Sequence, residues 1–352
     1  MIDYPAHLDA MWQKHLAPRE PNAPTVISTF AGAGGSSLGY SMAGFRELLA
    51  VEWDDNAVET FKLNFPGVPV YHGDIAKLSV DECLSMAGIA PGELDVLDGS
   101  PPCQGFSTAG KRIMDDPRNQ LFREYVRLLR GLRPKMFVME NVSGMVKGKM
   151  KLVFVEILKE LKASGYQVSA RLLNAMYFHV PQSRQRMIFI GVRDDLGIEP
   201  THPRAEGRPV IIGKILSDLE NLDQEASVSH IWQQNTSVDM ERITQVPEGG
   251  RLSDFGYSFN SAYRRISRRI HAPTLTRGGS IGISTSGSSW YSHYFLNRPL
   301  SVREGARLTS FPDGYKFRGS AYEGCSVIGN SVPPLMAEAI ARHIRQEILE
   351  RT

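Results

Sequence analysis

An open α/β sheet is the fold class this sequence predicts. Three observations carry that expectation. Short β-type runs alternate with segments of helical periodicity through the first half of the chain. Turns rich in glycine and proline follow directly on several of those runs, as at Ala31-Gly32-Ala33-Gly34-Gly35 and Gly99-Ser100-Pro101-Pro102. The residues capable of chemistry stand at these strand ends, where open α/β sheets hold their ligands.

Residues 1–24 are polar and punctuated by proline, with Leu8, Met11, Trp12 and Leu16 at helical spacing. They are expected to lie as a short helix on the main body. Thr25–Phe30 is the first strand, the glycine turn follows, and Ser36–Phe45 is helical. Glycines there allow a tight turn and a close backbone approach to a ligand. Leu48–Val51 is a second strand. It ends in Glu52-Trp53, about 20 residues beyond the turn, where a carboxylate can bind ribose hydroxyls. The Trp53 indole can stack on adenine. A third run, Val68–Tyr71, leads to Gly73-Asp74-Ile75. Gly, Glu and Asp at three successive strand ends describe an adenosine pocket. The spacing Phe30-x-Gly32-x-Gly34-Gly35 lacks the third glycine of a dinucleotide fingerprint. It favours S-adenosylmethionine over a nicotinamide cofactor, whose pyrophosphate requires a helix N-terminus aimed at it.

The stretch Asp95–Ser107, DVLDGSPPCQGFS, holds a fourth strand at Val96 and Leu97, ended by Gly99 and the paired prolines. Cys103 therefore stands beyond a strand's carboxyl end, where substrate can reach it. From these residues alone it is either a nucleophile or an inert turn cysteine. The polar residues 108–120 make a long loop beside it, of the kind that serves as a lid. Asn119–Leu132 is a helix whose Arg123, Arg127 and Arg130, with Arg133 beyond it, form a solvated face rather than a DNA stripe. Lys135–Met139 is a strand ending in Glu140-Asn141-Val142, and Glu140 is either an acid for catalysis or a helix cap. Leu152–Leu161 is a helix and Tyr166–Leu173 a strand. In Pro181–Arg186, ahead of the strand Met187–Val192, Arg184 and Arg186 sit at i, i+2 on extended chain and point the same way. Such a pair can hold an anion or a carbonyl oxygen.

Composition shifts after Arg193. Residues 200–296 carry His, Ser, Asn, Gly and Arg between short apolar runs. The densest basic patch, Tyr263–Arg269, contains Arg264, Arg265, Arg268 and Arg269, and the Gly/Ser stretch Gly278–Ser289 follows it. Arginines beside such a loop suit phosphate and groove contacts, a role favoured here over a merely solvated loop. A helix from Val302 to Thr309, the turn Gly329–Pro334 and an amphipathic helix Leu335–Leu349 complete the chain.

The bulk numbers narrow the function classes. Of 352 residues, 42% are hydrophobic and 22% charged, an ordinary globular balance. A net charge of +2 gives no general affinity for polyanions, so any nucleic-acid surface must be a local patch. Cys83, Cys103 and Cys325 are too widely spaced for a disulfide framework or a metal cluster, and they fit a reducing compartment. The sequence contains no signal-peptide pattern and no run of about 18 apolar residues, so neither secretion nor a membrane span is expected.

These blocks together resemble the DNA (cytosine-5)-methyltransferase family of bacteria and phages, in the family's order and over nearly the whole chain. FAGAGG at 30–35, Glu52-Trp53 and Gly73-Asp74-Ile75 match its cofactor blocks. GSPPCQGFS at 99–107 matches its nucleophile block, Glu140-Asn141-Val142 its acid block and QSRQR at 182–186 its arginine block. RPLSVREGARLTSFPD at 298–313 and GNSVPP at 329–334 close the series, with Ser331 where Ala is more usual.

The resemblance implies a doubly wound, mostly parallel Rossmann-like sheet. A catalytic domain would span 1–193, a target-recognition domain 194–296, and a returning segment 297–352. DNA would lie in the cleft between the domains. The resemblance implies methyl transfer from S-adenosylmethionine, with S-adenosylhomocysteine as product, to carbon 5 of a flipped-out cytosine in double-stranded DNA. Cys103 would be the nucleophile and Glu140 the acid. Arg186 would hold oxygen 2 of the base, with Arg184 in support. Phe30 and Trp53 would flank adenine, Glu52 take the ribose and Asp74 the adenine amine. Gly32, Gly34, Gly35, Ile75, Pro102, Leu121, Asn330 and Val332 would complete the cofactor pocket. Gln104 and Ser107 would face DNA, and no metal is required. A cytoplasmic monomer is the expected setting, either standing alone or paired with a cognate restriction endonuclease. A tRNA cytosine-5 methyltransferase and a relative that has lost catalysis are the alternatives. The absence of a Cys-Phe-Thr tripeptide disfavours the first, and the intact Cys103, Glu140, Arg184 and Arg186 disfavour the second.

Overall fold

The computed structural model describes residues 3–102, 120–146, 150–225, 227–234, 237–256, 264–276 and 291–352. The chain opens with helix α1 (Tyr4–Leu16), begun by the Asp3 side chain, which accepts from the Ala6 backbone N–H. Strand β1 (Thr25–Thr29) is buried along its whole length, as befits a strand covered on both faces. Helix α2 (Gly35–Met42), β2 (Arg46–Glu52), α3 (Asp55–Asn64) and β3 (Val70–His72) follow. Next come α4 (Val80–Ala87), β4 (Val96–Gly99), α5 (Gln120–Leu132), β5 (Met136–Val142) and α6 (Met150–Lys162). Strands β6 (Tyr166–Asn174) and β7 (Gln185–Arg193) complete one seven-stranded sheet in the order β3-β2-β1-β4-β5-β7-β6.

Strands β1 to β5 pair in parallel, while β7 runs antiparallel between β5 and β6. Successive side chains of a strand point to opposite faces, and the core obeys this. Val26, Ala50, Val96, Met136 and Val138 enter one buried cluster with Leu8 of α1 and Leu38 of α2. Ile27, Leu49, Val51, Leu97, Phe137 and Met139 enter the other, with Leu84 of α4, Leu129 of α5 and Ile157 of α6. Each large apolar side chain so buried contributes about 1.5–3 kcal/mol. The sheet is therefore doubly wound and mostly parallel.

Among the described residues after β7 the regular elements are α7 (Ser237–Thr244) and short 3-10 turns, until α8 (Val302–Leu308), α9 (Ala321–Asn330) and α10 (Pro334–Glu347). Helices α8 and α9 both start with capping boxes, Ser301 with Glu304 and Ser320 with Glu323. Helix α10 carries Leu335, Met336 and Ile340 into the first cluster and packs along α2. The C-terminal segment thus returns to the glycine turn. A Cβ on Gly35 would collide with the Val332 carbonyl. Among the described residues no helix is long and apolar enough to cross a membrane.

Candidate active site

The glycine turn leaves β1 through Phe30, whose φ of 54° is left-handed, and Gly32 and Gly34 repeat that sign at 55° and 81°. An added Cβ on Gly32 would meet nothing within 4 Å, so this backbone is open to a ligand. On Gly34 it would strike the Phe65 and Tyr315 side chains, so that position is fixed by packing. Glu52, at the end of β2, holds the turn in place. Its Oε2 accepts from the Gly32 N–H at 2.7 Å, and its Oε1 from the Trp53 and Asp54 N–H groups at 2.8 and 3.0 Å. The neighbouring Trp53 is 74% exposed, a large apolar ring with no cover from the described residues. Asp74 is exposed, and its Oδ1 accepts from the Ala76 N–H while Ile75 packs inward. Arg127 of α5 donates to the Ile75 and Leu78 carbonyls at 3.0 and 2.8 Å. This arginine braces the turn from Ile75 to Leu78 instead of belonging to a purely solvated face.

At the carboxyl ends of β4 and β5 a cavity is lined by Ser36, Asp98, Ser100, Glu140 and Val332, among others. Antiparallel pairing sets Glu140 opposite Ile188 and Val142 opposite Arg186. Glu140 and Arg186 are thereby diagonal neighbours on one face of the sheet. The Arg186 Nε lies 2.5 Å from the Glu140 Oε1 in a largely buried ion pair. Asn141 donates to the Pro101 carbonyl at 3.1 Å and so ties β5 to the loop after β4. Cys103, Gln104 and Ser107 lie outside the described residues. Pro102 and Asn330 are exposed, and Leu121 and Val332 half-buried.

Arg184 departs from the expectation that the two arginines share one task. It is 1% exposed and donates to the Leu275 carbonyl at 2.7 Å and the Gly329 carbonyl at 3.0 Å. Burial, with the Arg186 charge adding, pushes it down to about 9, so it still carries its charge near neutrality. Arg184 is a tie between chain segments, while Arg186 faces the acid.

The basic patch also needs a correction. Arg265 is 5% exposed, and it donates to the carbonyls of Ile243, Val246, His293 and Leu296 and to the Asn297 Oδ1. All five guanidinium N–H donors are then occupied, so nothing remains for a phosphate. Arg264 is half-buried beside it. Arg268 and Arg269 are exposed, with Glu248 3.5 Å from the Arg268 Nε. Cys83 is buried, and burial raises both its thiol, to about 11, and that of Cys325.

Sequence reasoning missed Asp98 and its hydroxyl partners Ser36 and Tyr40, a buried acid on the cavity wall. The signal was an acidic residue at the end of an otherwise apolar strand.

The model of C-5 cytosine-specific DNA methylases matches residues 24–346, nearly the entire chain. The chain belongs to this family. It is 37% identical over 327 residues to the type II methyltransferase M1.HphI of Haemophilus parahaemolyticus, covering 91% of this chain and 86% of that one. It is 32% identical over 369 residues to the type II methyltransferase M.XorII of Xanthomonas oryzae, covering 93% and 86%. The fold matches a crystal structure of a prophage-encoded DNA modification methyltransferase (E. coli) with a TM-score of 0.75 at 24% identity, over 93% of this chain and 100% of that chain. A Spodoptera frugiperda DNMT2 variant matches with a TM-score of 0.63 at 20% identity, over 92% and 99%. The protein is a DNA (cytosine-5)-methyltransferase, with a methyltransferase's sheet beneath its glycine turn and its acid–arginine pair.

Proposed function

We propose that this methyltransferase modifies carbon 5 of a flipped-out cytosine within a specific duplex sequence, with S-adenosylmethionine as donor and S-adenosylhomocysteine as product. The observation that carries it is Glu140, paired with Arg186 and lining the same cavity as Val332 and as Gly99 and Ser100, the residues through which β4 leads to Cys103. The residues fit the cofactor: backbone open at Gly32, a braced carboxylate at Glu52 and an uncovered indole at Trp53. When bound, the cofactor supplies a methyl group on a sulfonium. Phe30 and Trp53 would flank adenine, with Glu52 at the ribose, Asp74 and Ile75 at the base, and Pro102, Leu121, Asn330 and Val332 closing the pocket.

Carbon 5 of cytosine is a poor nucleophile until carbon 6 is substituted. The Cys103 thiolate would add there, because thiolate attacks well and later leaves. Glu140 would hydrogen-bond ring nitrogen 3 and stabilise the charge driven onto the ring. Arg186, already paired with Glu140, would hold oxygen 2 of the base. Solvent would take the carbon-5 proton as Cys103 is expelled. None of these atoms is reachable in a stacked duplex, so the base must leave the stack, at a cost of about a few kcal/mol. Arg268 and Arg269, with Gln104 and Ser107, are the DNA contacts we retain. A catalytic region 1–193, a recognition region 194–296 and a returning segment 297–352 are the division proposed. The type II designation of the relatives supports a restriction–modification setting in the cytoplasm.

The test is cytosine-methylation sequencing of a plasmid from cells expressing the protein, with Cys103→Ala as control. One short motif methylated only by the native protein is the expected result. An unmethylated plasmid, with a tRNA cytosine modified instead, would overturn the substrate.

A further inference from the structure

Asp98, at the end of β4, takes no part in the chemistry above. It is 8% exposed and lines the cavity that Glu140 also lines. Its Oδ2 accepts from the Ser36 Oγ at 2.6 Å and its Oδ1 from the Tyr40 hydroxyl at 3.2 Å. Tyr125 of α5, Glu140 of β5 and Glu47 of β2 also face it electrostatically, and all are neutral or acidic. Among the described residues no cationic side chain acts on it. A buried carboxylate needs a cation or a proton. Glu140 has Arg186; Asp98 has two hydroxyls. Burial accordingly raises its proton affinity to about 7. The cavity wall thus carries an uncompensated acid.

Beside it begins α2, whose N-cap Gly34 offers no side chain to the first backbone N–H groups. Those N–H groups suit a carboxylate, and Asp98 suits an ammonium. An amino-acid zwitterion fits both charges. We infer that Asp98 receives the ammonium group of the amino-acid end of the methyl donor, oriented by the Ser36 and Tyr40 hydroxyls. This rests on the cofactor proposed above and adds a residue to its binding.

The experiment is calorimetric binding of two probes to native protein and to Asp98→Asn. S-adenosylhomocysteine carries the amino-acid end, and 5′-methylthioadenosine carries the nucleoside thioether without it. Asp98→Asn should weaken S-adenosylhomocysteine by tenfold or more and leave methylthioadenosine within about twofold. A bound ammonium favours the ionised acid, so native affinity for S-adenosylhomocysteine should rise on the order of tenfold between pH 5.5 and 7.5. Affinity for methylthioadenosine should stay flat. Equal binding of S-adenosylhomocysteine by native and variant protein overturns the inference. Should the variant lose both probes, its fold has failed and the native pH profiles decide: a constant ratio of the two affinities overturns the inference, and a rising ratio sustains it. If neither probe binds the native protein, the cofactor reading itself falls.

Discussion

Replacing Arg265 by alanine tests whether the basic patch is a DNA surface throughout. The guanidinium is 5% exposed and its contacts to Ile243, Val246, His293, Leu296 and Asn297 span 2.7–2.9 Å. Truncation would strand four backbone carbonyls and one amide oxygen. An unsatisfied buried acceptor costs about 1–3 kcal/mol, but these losses do not add and water would reach some of them. The net loss is then on the order of 3–5 kcal/mol, the range for breaking a buried charged network. Thermal melting should fall markedly, and amide exchange should accelerate at residues 243–246 and 293–297, where the tie is lost. Arg268→Ala and Arg269→Ala, at exposed positions, should change stability by about 0.5 kcal/mol or less. Each should instead flatten the salt dependence of DNA binding by roughly 0.9 per lost phosphate contact. An Arg265→Ala protein with native melting and native exchange but a flatter salt dependence would refute the assignment of Arg265 to the interior.

Three further outcomes follow from the site. Cys103→Ser should retain DNA affinity in a gel-shift assay yet transfer almost no methyl groups; near-native turnover would sink the nucleophile assignment. Glu140→Gln should cut single-turnover methylation by roughly 10²–10⁴-fold while S-adenosylhomocysteine still binds, and an unchanged rate would remove Glu140 from the chemistry. Glu47 has both carboxylate oxygens buried, and burial pushes it up to about 8. Between about pH 4.5 and 8 the folded protein therefore binds the extra proton, so stability falls as pH rises through that window. Glu47→Gln should flatten that decline in melting scans across pH, on the order of a few kcal/mol at its upper end; an identical slope in native and variant protein would contradict the burial.

Much of this fold was legible because strand alternation and glycine punctuation are local signals. Val26 and Ile27 enter opposite clusters, as adjacent strand residues must. The direction of β7 was not legible. Met187–Val192 reads as a strand in the sequence, but which neighbour it pairs with, and in which sense, is set by β5 and β6. Arg265 and Arg268 look alike in sequence. Only residues 243–246 and 293–297, distant along the chain, bury one and not the other. Asp98 was hidden for the same reason, since Ser36 and Tyr40 lie in another element. Glu140 and Arg186 were found through their motifs, yet their 2.5 Å pairing depends on antiparallel register that no single-sequence pattern encodes.

Arg184 explains how pieces so far apart form one site. The backbone just before β7 bridges to the segment after the basic patch: Ser183 donates to the Ala272 carbonyl, and Leu275 donates to the Gln182 side chain. Gln182 in turn donates to the Leu308 carbonyl and the Thr309 hydroxyl at the end of α8. Arg184 then binds Leu275 and Gly329 with one guanidinium, and Gly329 precedes the Asn330–Val332 turn proposed above to close the cofactor pocket. Two residues later the same chain presents Arg186 to Glu140. One short stretch therefore fixes Arg186, the segment 272–275 and the turn after Gly329 relative to one another. A shift in any of the three must be accommodated by the other two or must break a buried charged hydrogen bond, which costs about 1.5–3 kcal/mol. On the site assignment proposed above, rigidity at this point would let a target base held at one side of the cavity meet a donor held at the other.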